Sequence, residues 1–295
     1  MPIKKIMTHL TGYTADTYAL HGAHLVAKQY GAHIEVLHIQ MDGRDAVPFV
    51  GQGLSAHVVE QVIRSVEQEG EQIKEKAQSH FNTWVKDYKI DIKEESFCPL
   101  TKSTDNQNVS AHWLDCEGRA SEVVPCHGRL SDLVVLSRSG DDQDTQAPLI
   151  IEAALLETGR PIMVMPPQKS PSCGSNMCIF WNGSLESARA LSAATAFLPH
   201  AEKITVLAAP NVDSLGDDAA GVCDYLEWYG LKADLVTINC QSTEVGAKLV
   251  AHVNEIGADL FVMGAYSHSK IRQLILGSVT QHILTELSVP LLFTH

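Results

Sequence analysis

The sequence has no surplus of positive charge. Its 295 residues carry 22 Lys and Arg against 35 Asp and Glu, a formal net charge of −13. Sequence-independent binding to DNA or RNA needs clustered cations, so no nucleic-acid partner is expected. Lys270 and Arg272 form the only suggestive local pair. Long apolar runs are missing too: none approaches the roughly 18 residues that span a bilayer. Met1-Pro2-Ile3-Lys4-Lys5 leads directly into a short apolar strand, without the apolar core of a secretory signal. A cytoplasmic protein with no membrane partner is the expectation. The seven cysteines, at positions 98, 116, 126, 173, 178, 223 and 240, are odd in number and contain no CxxC pair. Reduced thiols are expected rather than a disulfide framework.

Several catalytic signatures are absent as well. There is no GxSxG nucleophile elbow, no HExxH and no GxxxxGK(S/T) phosphate loop. His21-x2-His24, Cys126-His127 and Cys173-x4-Cys178 are local pairs, but no four ligands have zinc spacing. No catalytic residue and no metal ligand is assigned on these grounds.

What is present is a repeated α/β pattern. Hydrophobic residues make up 45% of the chain, enough for two ordinary cores. Periodicity predicts a strand over 4–10, a helix over 14–30 and a strand over 33–39. That order requires parallel strands joined by a right-handed crossover. A long amphipathic helix is predicted over 56–89, and a polar, irregular excursion over 91–109. Strands over 111–116, 132–136 and 161–165 follow, with a short helix within 117–127 and another over 149–157. The segment 166–175 holds three prolines, three serines and a glycine and reads as a linker. The pattern then restarts, with strands over 177–181, 204–209, 234–238, 259–263 and 290–293 and helices over 185–197, 214–230, 243–256 and 278–287.

The repeat can be read residue by residue. Ser131-Asp132-Leu133-Val134-Val135-Leu136-Ser137 matches Ala258-Asp259-Leu260-Phe261-Val262-Met263-Gly264, and Gly12 matches Gly183. The segment from Leu155 to Pro161 likewise matches that from Leu284 to Pro290. Two copies of a five-strand unit make a tandem α/β protein. Ligands in such sheets sit beyond the C-terminal strand ends. One such end runs into Gly264-x2-Ser267-x9-Gly277-Ser278 and then an amphipathic helix. A helix start with unpaired N–H groups, approached by glycines and hydroxyls, suits phosphate. His268 reads as a polar residue of this loop. The matching loop in the first copy, Ser137-Arg138-Ser139-Gly140-Asp141-Asp142, has two carboxylates and no second Gly-Ser. Carboxylates repel phosphate, which confines the ligand expectation to the second copy.

At these residues the chain resembles the universal stress protein family. Nucleotide-binding members carry Gly-x2-Gly-x9-Gly-(Ser/Thr) after the fourth strand; Gly264, Ser267, Gly277 and Ser278 stand at those places, followed by Val279-Thr280. The resemblance is strong over 177–295 and weak over 41–110. It implies an α/β, Rossmann-like fold of two tandem doubly wound domains, 1–167 and 176–295, each with a mainly parallel five-stranded sheet. The family's aspartate at the end of the first strand is replaced by Asn182, and by Thr11 in the first copy. Adenine contacts would fall near Leu207 and Ala208. In the family the last strand commonly pairs two domains, so the edge strands 161–165 and 290–293 are expected to pair within this chain. The implied function is that of a cytosolic stress-response protein holding ATP or a related adenine nucleotide in its C-terminal domain. Gly264 and Gly277 would allow close approach. Ser267, Ser278 and Thr280 would donate to phosphate, and Asn182 would face sugar or base. Mg²⁺ would accompany the triphosphate, with at most slow, incidental hydrolysis. An adenylating enzyme would need a pyrophosphate signature near the first strand, which Thr11-Gly12-Tyr13-Thr14 does not supply. The competing expectation is a nucleotide-free interaction protein that works as a homodimer or with another protein partner.

Overall fold

The computed structural model describes residues 2–43, 56–93, 108–139, 144, 146–209, 219–265 and 278–295. Ser267, His268, Gly277, Asp141 and Asp142 lie outside the described residues, as do most of the 41–54 loop and most of the 91–109 excursion. Packing divides the chain into two compact units, Lys4–Thr158 and Gly159–His295 with Met1–Ile3.

The first unit is built on β1 (Lys5–Leu10), β2 (His33–Gln40), β3 (Asp91–Ile92), β4 (Ser110–Glu117) and β5 (Leu133–Ser137). They lie in the order β3-β4-β2-β1-β5, and every pairing among the described residues is parallel. The chain works outward from β1 and then returns to its other side at β5. The reversal of strand order therefore falls between β1 and β5, where open α/β sheets keep their ligands. Helix α1 (Ala15–Tyr30) buries Ala15, Ala19, Ala23, Val26 and Ala27, the stripe that its helical spacing predicts. Helix α2 (Ala56–Tyr88) packs against α1 and β2 with its C-terminal half, through buried Ala77, Phe81 and Trp84. It is a covering helix, in keeping with its amphipathic pattern. Helices α3 (Ala120–Gly128) and α4 (Ala147–Glu157) pack on each other.

The second unit holds β6 (Ile162–Met165), β7 (Asn176–Trp181), β8 (Lys203–Ala208), β9 (Ala233–Thr237), β10 (Leu260–Gly264) and β11 (Leu291–Thr294). Their order is β6-β11-β10-β7-β8-β9. β7 to β11 form five parallel strands, and only the β6–β11 pair is antiparallel. Helices α5 (Leu185–Ala194), α6 (Ala219–Glu227), α7 (Val245–Glu255) and α8 (Ser278–Glu286) complete it. Phe261 and Phe293, on adjacent strands β10 and β11, are fully buried. Each such side chain contributes about 2–3 kcal/mol by leaving water.

The linker reading put the division in 166–175, with residues 161–165 in the first half. The compact units divide instead at Thr158 and Gly159. The reason is β6, whose four wholly buried residues pair with β11 over Ile162–Phe293, Met163–Leu292 and Val164–Leu291. Pairing hides the edge that an apolar terminal strand leaves open. The fifth strand of the first unit is the two-residue β3, inside the segment expected to be irregular.

The repeat has a physical basis. Asp132 Oδ2 accepts hydrogen bonds from the amides of Lys4 (2.8 Å) and Lys5 (3.0 Å), at the start of β1. Asp259, its counterpart, accepts from the amides of Gly174, Ser175 and Asn176 at 3.1, 3.1 and 2.8 Å, at the start of β7. Each aspartate satisfies donors that the ladder leaves open, ahead of a strand neighbouring its own. Gly12 (φ 78°) and Gly183 (φ 73°) take the same left-handed turn after β1 and β7.

Candidate functional site

In the second unit, β10 ends at Gly264 and α8 begins at Ser278. A Cβ on Gly264 would meet the Glu186 carbonyl carbon at 2.3 Å and the Ser187 nitrogen at 2.5 Å. The first turn of α5 therefore lies directly on this glycine. The first copy has Ser137 at the matching place. Close packing of α5 makes the glycine a structural requirement in this copy. Thr294 Oγ1 donates to the Glu186 carbonyl at 3.1 Å and ties β11 to the same turn.

Asn182 ends the β7 side of this region. Its Oδ1 accepts from Ser184 N (3.2 Å) and Ser184 Oγ (2.7 Å). Ser184 in turn caps α5 by accepting from Ser187 N at 3.1 Å. Asn182 thus orders the turn into α5. The Leu207 side chain is fully buried, and its residue registers with Phe180 on one side and Val236 on the other. It stands one residue before the end of β8. β10, β7 and β8 are neighbours, so Gly264, Asn182 and Leu207 come from the C-terminal parts of three adjacent strands. At α8, Ser278 is exposed, Val279 half-buried and Thr280 buried. The first turn of α8 has no acidic residue, so its amides and dipole remain compatible with an anion.

The first unit is different at the corresponding helix. Asp144 is 6% exposed, and its Oδ1 accepts from Gln146 N (3.0 Å) and Ala147 N (3.2 Å) at the start of α4. A carboxylate of the chain itself occupies the place where a phosphate would be held.

Yet the first unit contains a cleft of about 320 Å³ at the C-terminal ends of β1 and β2. Leu10, Ile39, Val66, Ile73 and Ile150 make its apolar wall, and His9, His38, Gln40, Glu69 and Asp144 are among its polar lining. Behind it Asp16, at 2% exposure, accepts from Thr11 N and Gly12 N, both at 2.8 Å, and from Thr11 Oγ1 at 3.2 Å. His80 of α2 approaches the same carboxylate at 3.1 Å. Burial pushes the His9 imidazole down to about 4, against the opposite pull of Asp16. Sequence reasoning passed over His9, His38 and Asp16. The available signal was a polar residue near the C-terminal end of each of two apolar strands, and an acid in the first turn of α1. Asp16→Ala leaves two backbone donors without their acceptor and is expected to cost about 3 kcal/mol in urea unfolding. A loss no larger than that of an exposed Asp→Ala change would show that water replaces the carboxylate.

His21, His24, Cys173 and Cys178 are engaged in packing, whereas Cys126 is exposed. His21 Nδ1 hydrogen-bonds Tyr88 Oη at 2.9 Å, and the His24 ring lies 4.3 Å from that of Tyr88. Cys173 contacts Met163 at 3.9 Å, and burial pushes the Cys173 and Cys178 thiols up. Among the described residues no three His, Cys, Asp or Glu side chains gather as a metal site, and no helix is long and apolar enough to cross a membrane.

A universal stress protein from Archaeoglobus fulgidus superposes with a TM-score of 0.64 at 12% identity, covering 98% of this chain and 97% of that one. Two proteins from Pseudomonas aeruginosa superpose at TM-scores of 0.57 and 0.56, with 12% and 10% identity. Each covers 99% of this chain, and 93% and 92% of their own are matched. At these identities the likeness is one of fold. No curated protein matches the chain in sequence. Residues 183–295 match the universal stress protein family. They include Gly183, Gly264, Gly277 and Ser278, so the similarity to that family covers the second unit's motif.

Proposed function

We propose that the protein is a stress-response binding protein that holds ATP or a related adenine nucleotide in its second unit, without fast turnover. The observation that carries this reading is Gly264-x2-Ser267-x9-Gly277-Ser278 within residues matching the family, running from the end of β10 to the start of α8. The absence of an acid in the first turn of α8, set against Asp144 at α4, supports it. Ser267, Gly277, Ser278, Val279 and Thr280 would surround the phosphates, and Gly264, Asn182 and Leu207 would border the nucleoside. Asn182 brings no charge where the family has aspartate, so its share is hydrogen bonding by the side-chain amide. Magnesium would neutralise phosphate charge that the acidic chain does not.

Calorimetry with ATP is the test. Wild type is expected to release heat and saturate, and Gly277→Val to lose that binding, because a branched side chain blocks approach to the helix start. Chelating the magnesium is expected to weaken the wild-type affinity. No heat and no thermal shift at millimolar ATP would sink the nucleotide reading. That result would leave the interaction protein, whose supporting observation is a set of exposed apolar residues in the turn after α6 and on β9. Trp228 is 89% exposed and Tyr229 49% in that turn, and Leu235 on β9 is 42% exposed. Exposed aromatic patches of this kind mark contact surfaces.

A further inference from the structure

Cys116, His127 and Glu35 meet on one face of the first unit's sheet, away from the residues assigned to nucleotide binding. Register pairs Glu35 of β2 with His112 of β4, and Ile39 of β2 with Cys116 of β4. Side chains alternate along a strand, so Glu35 and Cys116 project from the same face. Helix α3 packs against β1 and β2 and brings the His127 ring between them. His127 Nε2 lies 3.7 Å from Cys116 Sγ, and His127 Nδ1 lies 3.8 Å from Glu35 Oε1.

The three groups stand in the order nucleophile, base and orienting acid. A carboxylate accepts and does not donate, so Glu35 favours the imidazole proton on Nδ1. The lone pair of Nε2 then faces the thiol. Lys5 Nζ holds the other oxygen of Glu35 at 2.8 Å and fixes that carboxylate, whose side chain is 3% exposed. The His127 side chain is 33% exposed, and Cys116 is half-buried, so the thiol and its base are not sealed from solvent. The three do not converge as a metal site.

The surroundings make a base necessary. Burial first, then the carboxylates of Asp115 and Glu35, push the Cys116 thiol up. It therefore keeps its proton near neutral pH, and the sulfur attacks only if a neighbour removes that proton. Asp115 is paired with Lys74 of α2, but Glu117 adds a further exposed carboxylate beside Cys116. An anionic reagent is repelled here, and a small uncharged one is not.

We propose that Cys116 is a base-assisted nucleophilic thiol, with His127 as its base and Glu35 as a positioning residue, and that it is oxidised by hydrogen peroxide. The sulfur attacks one peroxide oxygen; the S–O bond forms as the O–O bond breaks. The thiol proton passes to His127 Nε2 and from there to the departing hydroxide, which leaves as water. Sulfur loses two electrons and becomes sulfenic acid, and the peroxide gains them.

The test treats the full chain with hydrogen peroxide, with dimedone in excess to trap sulfenic acid, and follows each thiol by mass spectrometry of tryptic peptides. Arg119 places Cys116 and Cys126 in different peptides. By exposure alone Cys126 would react first. Cys116 is expected to react about tenfold faster than Cys126. In His127→Gln the Cys116 rate should fall about tenfold or more, with Cys126 unchanged. The wild-type Cys116 rate should level off above about pH 7, where histidine is neutral. A thiolate acting alone would climb about tenfold per pH unit through pH 8. In Glu35→Gln the plateau should begin at lower pH, because the imidazolium loses its carboxylate. An unshifted plateau there would overturn the role of Glu35. Oxidation of Cys116 no faster than Cys126, an unchanged rate in His127→Gln, or a wild-type rate still climbing at pH 8 would each overturn the proposal. If His127→Gln unfolds, the rate ratio and the pH profile of wild type still decide it. No step uses ATP, so this site and the nucleotide reading can fail separately.

Discussion

Gly264→Ala is expected to lower the unfolding free energy of the second unit by about 3 kcal/mol or more. The usual cost of forcing an extra carbon into a packed interior is about 1–3 kcal/mol, and it is occasionally larger. Here the clash is with backbone: the new carbon would lie 2.3 Å from the Glu186 carbonyl carbon and 2.5 Å from the Ser187 nitrogen. A flexible side chain would swing away. The first turn of α5 is held by the Ser184 cap and by Thr294, so relief requires moving the helix from the sheet. Gly257→Ala is the control. Its φ is 61°, but nothing lies within 4 Å of the new carbon. Only left-handed strain of about 1–2 kcal/mol applies there. Equal urea midpoints for the two variants would refute the packing account. The prediction also bears on the ligand question. Loss of ATP binding in Gly264→Ala would report a displaced α5, whereas Gly277→Val alters the far end of the loop.

Acid is expected to destabilise the first unit through His9. Its folded-state pKa of about 4 lies below the ordinary 6.5, with burial as the main cause. The unfolded chain therefore takes up a proton in a range where the folded chain does not. Stability is full above pH 6.5, falls between 6.5 and about 4, and stops falling from this source below that. For His9 the loss amounts to about 3 kcal/mol. His24, also held down at about 4, and His33, shifted the same way, add to the slope in the same direction. Urea unfolding of wild type and His9→Asn at pH 7 and pH 4 isolates the His9 share. The variant should lose about 3 kcal/mol less than wild type over that interval. Parallel losses in the two proteins would exclude His9 as the source.

The two effects show different degrees of legibility in the residues. The Asp132 and Asp259 match was visible as a repeat, and the structure supplies its reason: both carboxylates hold amides ahead of β1 and β7. The α1 stripe from Ala15 to Ala27 was equally readable, because burial on one helix face imposes its period on the sequence. β6 was readable as a strand, and its pairing with the closing strand was expected and is observed. Its place in the second compact unit was not readable, because apolar residues carry no mark of which unit they join. Gly264 was read as a ligand glycine, because its contact comes from Glu186 and Ser187, 78 and 77 positions away.

From the sequence alone followed the α/β class, the tandem repeat, the covering role of α2 and the place of the Gly264–Ser278 motif between a strand and a helix. These are local: periodicity, turn residues and spacing are written in neighbouring positions. Only the tertiary structure decided where the units divide, why Gly264 has no side chain, and that His9 and His38 line one cleft with Asp16 behind it. These depend on which strands lie side by side and on what α4 and α5 press against. Burial arises from such long-range packing, which is why two buried histidines on apolar strands carried no mark of their surroundings in the sequence.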